Sequence, residues 1–459
     1  MFETIKNCFK VKEIRKKIWI TLLLLLVFRL GCYIPVPGIN PEQFGQAINN
    51  NSFLGIMSSI TGGSLANATL FALGISPYIN ASIIIQLLTV GIPALERLSK
   101  QGEEGRKKIA QITRFVTILL AVAQAIGIIV NFGIQGNALR LSIFGGGTVG
   151  AVSDTAAKWM AGIFLTVVYT AGAMLVMWIG ERITEYGVSN GISLIIFIGI
   201  ISTAGLTIVD RFLEAFGAGD YVNKANPNVL WEVLGFVLLT IVEFAAIVTV
   251  DLSERRIPVQ YAKQVKGRKM YGGQSSVIPI RIAGSGVMPL IFAFALISFP
   301  QMIISLFCSP DNPAQTGIVE WFSGSGAWYG QLIYMIVLCL LIFAFSFFYA
   351  SMQFNPEDVS KTIQQNGGFI QGIRPGKPTS DYLKRISNRI TLFGAIYLSL
   401  VAFIPSLLSI ILAGLGMGNL SLLSAFSTTG ILIVVSVALE LDKQLESQLM
   451  MKNYKGFLK

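Results

Sequence analysis

Residues 71–92 read FALGISPYINASIIIQLLTVGI, 22 positions without one Asp, Glu, Lys, Arg or His. As a helix this run is about 33 Å long at 1.5 Å per residue, enough to cross a hydrocarbon core of roughly 30 Å. It also carries Gly74 and Pro77 near its start. In a helix interior these cost about 1 and 3 kcal/mol relative to Ala. The stretch therefore predicts a membrane span that is irregular at one end.

Nine further runs of comparable length follow the same pattern. With the first they cover about 18–36, 71–92, 115–132, 159–179, 192–209, 230–250, 287–307, 332–350, 390–412 and 420–439. The runs are continuous rather than alternating and far longer than a barrel strand, which excludes a membrane β-barrel. Of the 459 residues, 53% are hydrophobic and only 13% charged, more apolar surface than a soluble fold can hide.

The basic residues orient these runs. Of 35 Lys and Arg, 30 lie in one alternate set of connections. Arg140, Lys158, Arg211 and Lys224 lie in the other set, and Arg29 sits inside a run. By the positive-inside rule the amino terminus is cytoplasmic. So are 96–114, 181–186, 251–281, 357–389 and the C-terminal tail. This accounts for the net charge of +11 without invoking nucleic acid. The first run follows a basic segment as a signal peptide would. It contains Arg29 and continues to Pro37 without a small-residue cleavage site, so it reads as a retained span. Cys8, Cys32, Cys308 and Cys339 are scattered without metal-type spacing and read as inert thiols.

Two cytoplasmic loops, 251–281 and 357–389, are long for a helical bundle and carry thirteen of the positive charges. Such loops suggest a docking surface. Between the first two spans lies a shorter apolar piece, 53–60, followed by Gly62-Gly63. It is too short to cross and reads equally as re-entrant or interfacial. The seventh run is entered through Gly284, Gly286 and Pro289, much as the second is entered through Gly74 and Pro77. Ten spans divide as five plus five, so both irregularities fall on the second span of a half. An odd-numbered repeat reverses orientation, and paired irregular spans point to a path between the halves. The expected fold is an all-α polytopic membrane protein, ten transmembrane helices in two inverted five-helix halves (1–225 and 226–459) around a central pore.

Catalytic signatures are missing from the sequence. The chain has no His, which removes the commonest general base and metal ligand. The segment Gly372-Ile373-Arg374-Pro375-Gly376-Lys377 has the wrong spacing for a phosphate loop. The chain therefore reads as a non-enzyme with no cofactor and no metal. Arg29 and Glu243 are the only ionisable residues well inside spans, at depths of roughly 16 and 10 Å by helical rise. They read equally as an ion pair or as a transport site. Coupled transporters need a denser set of acids, so a passive conduit is favoured over a secondary transporter for a small solute. A scaffolding membrane protein, the third class, would need no irregular spans.

Several segments together resemble the SecY family of bacterial protein-translocation channel subunits. They are 71–89 within the opening stretch, Ile34-Pro35-Val36-Pro37-Gly38-Ile39, GVSNGIS at 187–193, Tyr261-Ala262-Lys263, Phe354-Asn355-Pro356 and Gly372-Ile373-Arg374-Pro375-Gly376. They occur in the family's order and cover nearly the whole chain.

The resemblance implies a ring of aliphatic side chains at the pore's waist, formed by Ile75, Ile79, Ile196, Ile291 and Ile433, with Ala295 or Leu296 at a sixth position. An apolar constriction sheds water and so blocks ions, and χ1-stiff isoleucine keeps it firm. Any single Ile in a span otherwise faces lipid or a packing neighbour. The resemblance also implies a plug at about 53–67, including Phe53, Ile56, Ile60, Gly62 and Gly63. Its small polar residues would offer little apolar area to hold it in place. A lateral gate between spans 2 and 7 would have Asn80 and Gln124 near its seam, where the alternative is an ordinary interhelical hydrogen bond. Arg255, Arg256, Lys263, Lys269 and Arg374 would dock the SecA motor ATPase or the ribosome, or else anchor topology. SecE- and SecG-like small membrane subunits are the implied partners. Unfolded secretory and membrane proteins are the substrates, and the bacterial plasma membrane, with both termini cytoplasmic, is the location.

Overall fold

The computed structural model describes residues 7–39, 41, 44–45, 58, 61–130, 155–216, 228–261, 264–266, 269–271, 275–282, 288–307, 328–414 and 428–456. Each of the ten apolar runs overlaps one helix among the described residues. In chain order these are α1 Lys12–Gly31, α2 Ser76–Gly91, α4 Glu103–Ile128, α5 Thr155–Tyr186, α6 Gly191–Phe216, α7 Asn228–Leu252, α8 Met288–Phe307, α9 Trp328–Gln353, α11 Lys377–Gly414 and α12 Thr428–Gly456. Two shorter helices are α3 Pro93–Ser99 and α10 Pro356–Gln365. Among the described residues five helices are long and apolar enough to cross a bilayer. The pair α2 and α3, bent by 105° across Ile92, is long and apolar enough only when taken together.

Several helices are displaced from the hydropathy windows for local reasons. The first window runs to 36, but α1 stops at Gly31. Pro35 and Pro37 cannot continue it, and the chain instead pairs with the segment before α2. Val36 N donates to Ala68 O at 3.0 Å and Leu70 N to Ile34 O at 2.9 Å. In the second window, Gly74 and Pro77 do not interrupt a helix but begin one. Residues 61–75 form turns, Gly74 has a φ of +54°, and Pro77 occupies the first turn of α2, where its missing N–H costs nothing. A Cβ at Gly74 would stand 2.6 Å from Thr61 Cγ2, so a side chain would push this turn apart. At the basic ends, α11 starts at Lys377 and α12 runs to Gly456, well beyond their apolar windows.

The helices pack as two groups. In the first half α1 lies on α5 and α6, α2 on α4, α4 on α5, and α5 on α6. In the second, α8 lies on α9, α9 on α11, α11 on α12, and α7 on α12. The halves meet along two seams: α8 against α2 and α4, and α6 against α7 and α12. Their outer faces remain apolar and exposed, as at Phe115 (75%) and Leu238 (67%). Such surface is stable in lipid and is what a polytopic membrane protein presents.

The two long loops, read from sequence as a docking surface, fold together. The first supplies β1 Glu254–Tyr261, β2 Gln264–Lys266, β3 Lys269–Tyr271 and β4 Ser275–Arg281; the second supplies β5 Gly368–Ile370. β1 pairs antiparallel with β4 (Ile257 opposite Ile278) and on its other edge with β5 (Val259 opposite Ile370). One face of this sheet buries Ile257, Val259, Ile280 and Ile370 against Ile363 of α10 and Leu383 of α11. α10 begins cleanly: Asn355 Oδ1 accepts from Glu357 N, Pro356 opens the first turn, and Glu357 and Asp358 suit the helix dipole.

Candidate functional site

The site is the junction of the two halves, built on α2, α6, α8 and α12. Ile75 (4% exposed), Ile196 (4%) and Ile433 (7%) belong to one buried cluster, against which Ile79 and Ile291 pack half-buried. Ile75 caps the N-terminus of α2 and Ile79 lies one turn on, so both face the same way. Ile196 comes from α6, Ile291 from the first turn of α8 and Ile433 from the first turns of α12. The five residues singled out by sequence are thus brought together from four elements, two in each half. Neither candidate for a sixth member joins them. Ala295 packs against the neighbouring cluster around Leu290 and Phe292, and Leu296 is exposed.

Of the segment at 53–67, Phe53, Ile56 and Ile60 lie outside the described residues. Gly62 and Gly63 are described, with φ of +73° and +81°. They open a buried, hydrogen-bonded series of turns. Gly63 N donates to Ser58 O at 2.8 Å, and Ser64 Oγ donates to Thr61 O at 2.9 Å and to Phe71 O at 3.0 Å. Leu65, Ala72 and Leu73 are essentially inaccessible. These hydrogen bonds and buried side chains tie residues 61–75 into one turn-rich unit. Arg29 reaches this turn rather than an ion pair with Glu243. Its Nη1 donates to Gly62 O and its Nη2 to Tyr33 Oη. Glu243 is buried on α7, which does not pack on α1.

Along the seam of α8 with α2 and α4, Asn80 is half-buried on α2 and Gln124 is buried on α4. A polar link that sequence reading missed crosses nearby: Tyr349 Oη of α9 donates to Gln86 Oε1 of α2. No spacing rule connects residues 263 positions apart.

At the basic end, Arg255 and Arg256 are exposed on β1, and Arg256 Nε donates to Glu254 Oε1 at 2.7 Å. Lys263 lies outside the described residues, and Lys269 begins β3. Arg374 is exposed in the turn between β5 and α11, where Gln364, Phe369, Ile373 and Pro375 line a shallow groove beside it. The turn is bolted from beneath. Thr379 Oγ1 donates to Arg374 O at 2.8 Å and Ser360 Oγ to Gly376 O at 2.7 Å. The flanking glycines therefore shape a fixed tip rather than a loose one. Two further contacts tie the helices where they meet this region. Arg114 of α4 grips Glu181 of α5 with Nε and Nη2, each at 2.9 Å. Just past the end of its apolar run, Asp251 accepts from Ser436 Oγ at 2.7 Å, and burial raises its carboxyl above the ordinary range against the opposing effect of that hydrogen bond, Lys443 and Arg281.

No group of three or more metal-ligating side chains occurs among the described residues. What the arrangement can do is physical: an apolar waist between two helical halves, with a charged platform at one end.

Comparison with known proteins bears on the family and the fold. The family model described as SecY matches residues 69–441. The protein translocase subunit SecY of Streptomyces coelicolor is 40% identical over 470 residues, with all of both chains covered. Among solved structures, one described as a protein-conducting channel superposes with a TM-score of 0.65 at 20% identity, covering 94% of this chain and 92% of its own. Sec61 in the canine ribosome–channel complex from the endoplasmic reticulum superposes with a TM-score of 0.63 at 19% identity and the same coverage. A family match over most of the chain, with 40% identity along its full length, means that the chain belongs to the SecY family.

Proposed function

We propose that this chain is the central protein-conducting subunit of a membrane translocase, passing unfolded secretory chains across the bilayer and releasing apolar segments sideways into lipid. The observation that carries this reading is the convergence of Ile75, Ile79, Ile196, Ile291 and Ile433 where the halves meet. A waist without charges or fixed hydrogen-bond partners holds back ions by dewetting, yet has no preference for one passing sequence over another. The halves divide at about residue 225. The seam of α8 with α2 and α4 acts as the exit to lipid, with Asn80 and Gln124 along it, and the segment at 53–67 acts as the plug.

The chain is a conduit rather than an enzyme. Its sequence holds no phosphate-binding motif, so the driving energy comes from a cytosolic partner. The two-loop platform is the surface for that partner, with Arg255, Arg256, Lys263, Lys269 and Arg374 as its contacts for a motor such as SecA or for a ribosome. A ribosome accompanies the canine channel described above. Small SecE- and SecG-like subunits complete the assembly in the bacterial plasma membrane, with both termini cytoplasmic.

Replacing Ile79, Ile196 and Ile291 together by Gly tests the waist. The reconstituted complex should conduct ions without substrate, and conductance equal to that of the wild type would remove these residues from the seal.

A further inference from the structure

Arg29 is a cation within an apolar run, and neither topology anchoring nor docking explains it. It stands in the last turn of α1, where the helix dipole tolerates a positive charge. That tolerance does not explain where the side chain goes. Nη1 donates to Gly62 O at 3.1 Å, a residue 33 positions along the chain. Nη2 donates to Tyr33 Oη at 2.9 Å, and the guanidinium carbon lies 4.8 Å from the centre of the Tyr33 ring. No carboxylate forms an ion pair with Arg29 among the described residues.

The acceptor sits in a turn that demands glycine, with φ of +73° at Gly62 and +81° at Gly63. A Cβ at Gly62 would be 2.6 Å from Arg29 Nη1 and 3.3 Å from the Cα of Gly199. Gly199 lies on α6 one turn beyond Ile196 and next to Ile200, and both isoleucines belong to the cluster at the waist. The Gly62 turn is therefore held between Arg29 and the helix that carries Ile196. We propose that Arg29 is a positioning residue for the seal: its guanidinium clamps the Gly62–Gly63 turn against α6 and keeps the waist shut when no chain is passing. This rests on the pore reading given above. A single hydrogen bond to a charged donor suits the task, because it shifts a two-state balance by about 10- to 100-fold and still yields to a passing chain.

The test uses the complete reconstituted complex with its native cysteines changed to Ser. It has two readouts: ion conductance without substrate, and labelling of a buried reporter, Ser64→Cys, by a membrane-impermeant maleimide. Arg29→Ala and Gly62→Ala break one contact from its two sides. Each should raise both readouts about tenfold or more, and the double variant should add nothing. Arg29→Lys, which keeps a charged donor, should recover part of the seal. If Arg29→Ala does not accumulate in the membrane, Gly62→Ala, which leaves Arg29 in place, carries the test. The proposal is overturned if both variants behave as wild type while the triple isoleucine-to-glycine variant conducts, because the waist then exists without the clamp. If the triple variant is also silent, the pore reading itself has failed and the clamp falls with it.

Discussion

Leu383→Ala should unhinge the two-loop platform while leaving the membrane helices intact. Leu383 is wholly buried on α11 and joins Ile257, Val259, Ile280, Ile363 and Ile370 in a core shared by both long loops. Removing a buried leucine side chain costs about 2–5 kcal/mol, part of it for the cavity left behind. With only six buried residues in that core, a loss near 3 kcal/mol is a large share of what holds the sheet together. It corresponds to roughly a hundredfold rise in local opening. The assay is hydrogen exchange of the complex in lipid discs, comparing amides of β1 and β5 with those of α4 and α5. The β1–β5 ladder at Val259 and Ile370 should exchange about a hundredfold faster, with the helices unchanged. Unchanged exchange in the sheet, or an equal rise in α4 and α5, would refute the claim that the two loops form a unit with its own core.

Two further outcomes follow from single residues. Arg374→Glu should leave thermal stability within about 0.5 kcal/mol, since Arg374 is exposed, yet abolish motor-driven translocation in vesicles; normal transport would remove its docking role. Asp251→Asn keeps an acceptor for Ser436 but removes a carboxyl whose folded pKa burial has raised. Such a group binds its proton more tightly in the folded state, so it subtracts stability as pH rises from about 4 through its raised value. The variant should therefore melt higher than wild type at pH 7 and match it near pH 4. A lower melting temperature at pH 7 would mean that the charged form is the one the fold favours.

The helical framework was legible because hydropathy over twenty residues is a strong signal, and each of the ten windows overlaps one helix among the described residues. The ends were less so. Pro35 stopped α1 early, and Gly74 and Pro77 marked the beginning of α2, because a backbone turn depends on neighbours such as Thr61 that hydropathy does not register. The platform was hidden for another reason. Ile257 and Val259 alternate with Arg256, Pro258 and Gln260 in the period of a strand. The run is short, and it includes proline, which sheets disfavour; Pro258 and Pro279 nonetheless occupy the sheet, opposite Val277 and Arg256. Arg29 stands out in the sequence as a charge within an apolar run, but its partner is a backbone carbonyl, which no pattern of residue types reveals. The isoleucines at the waist were likewise invisible to periodicity, since one Ile in a span looks like any other. Only their motif context singled them out, and the fold then brought all five together.

The central claim is that a polypeptide passes through the waist between the halves. The most direct measurement places single cysteines at Ile79 and Ile291, stalls a secretory precursor carrying its own cysteine in the reconstituted complex, and scores the crosslinks. The account predicts crosslinks to the precursor at both positions, and none at Phe115 on the exposed face of α4. Absence of crosslinks at both positions, together with saturable uptake of a small solute that Glu243→Gln abolishes, would contradict it.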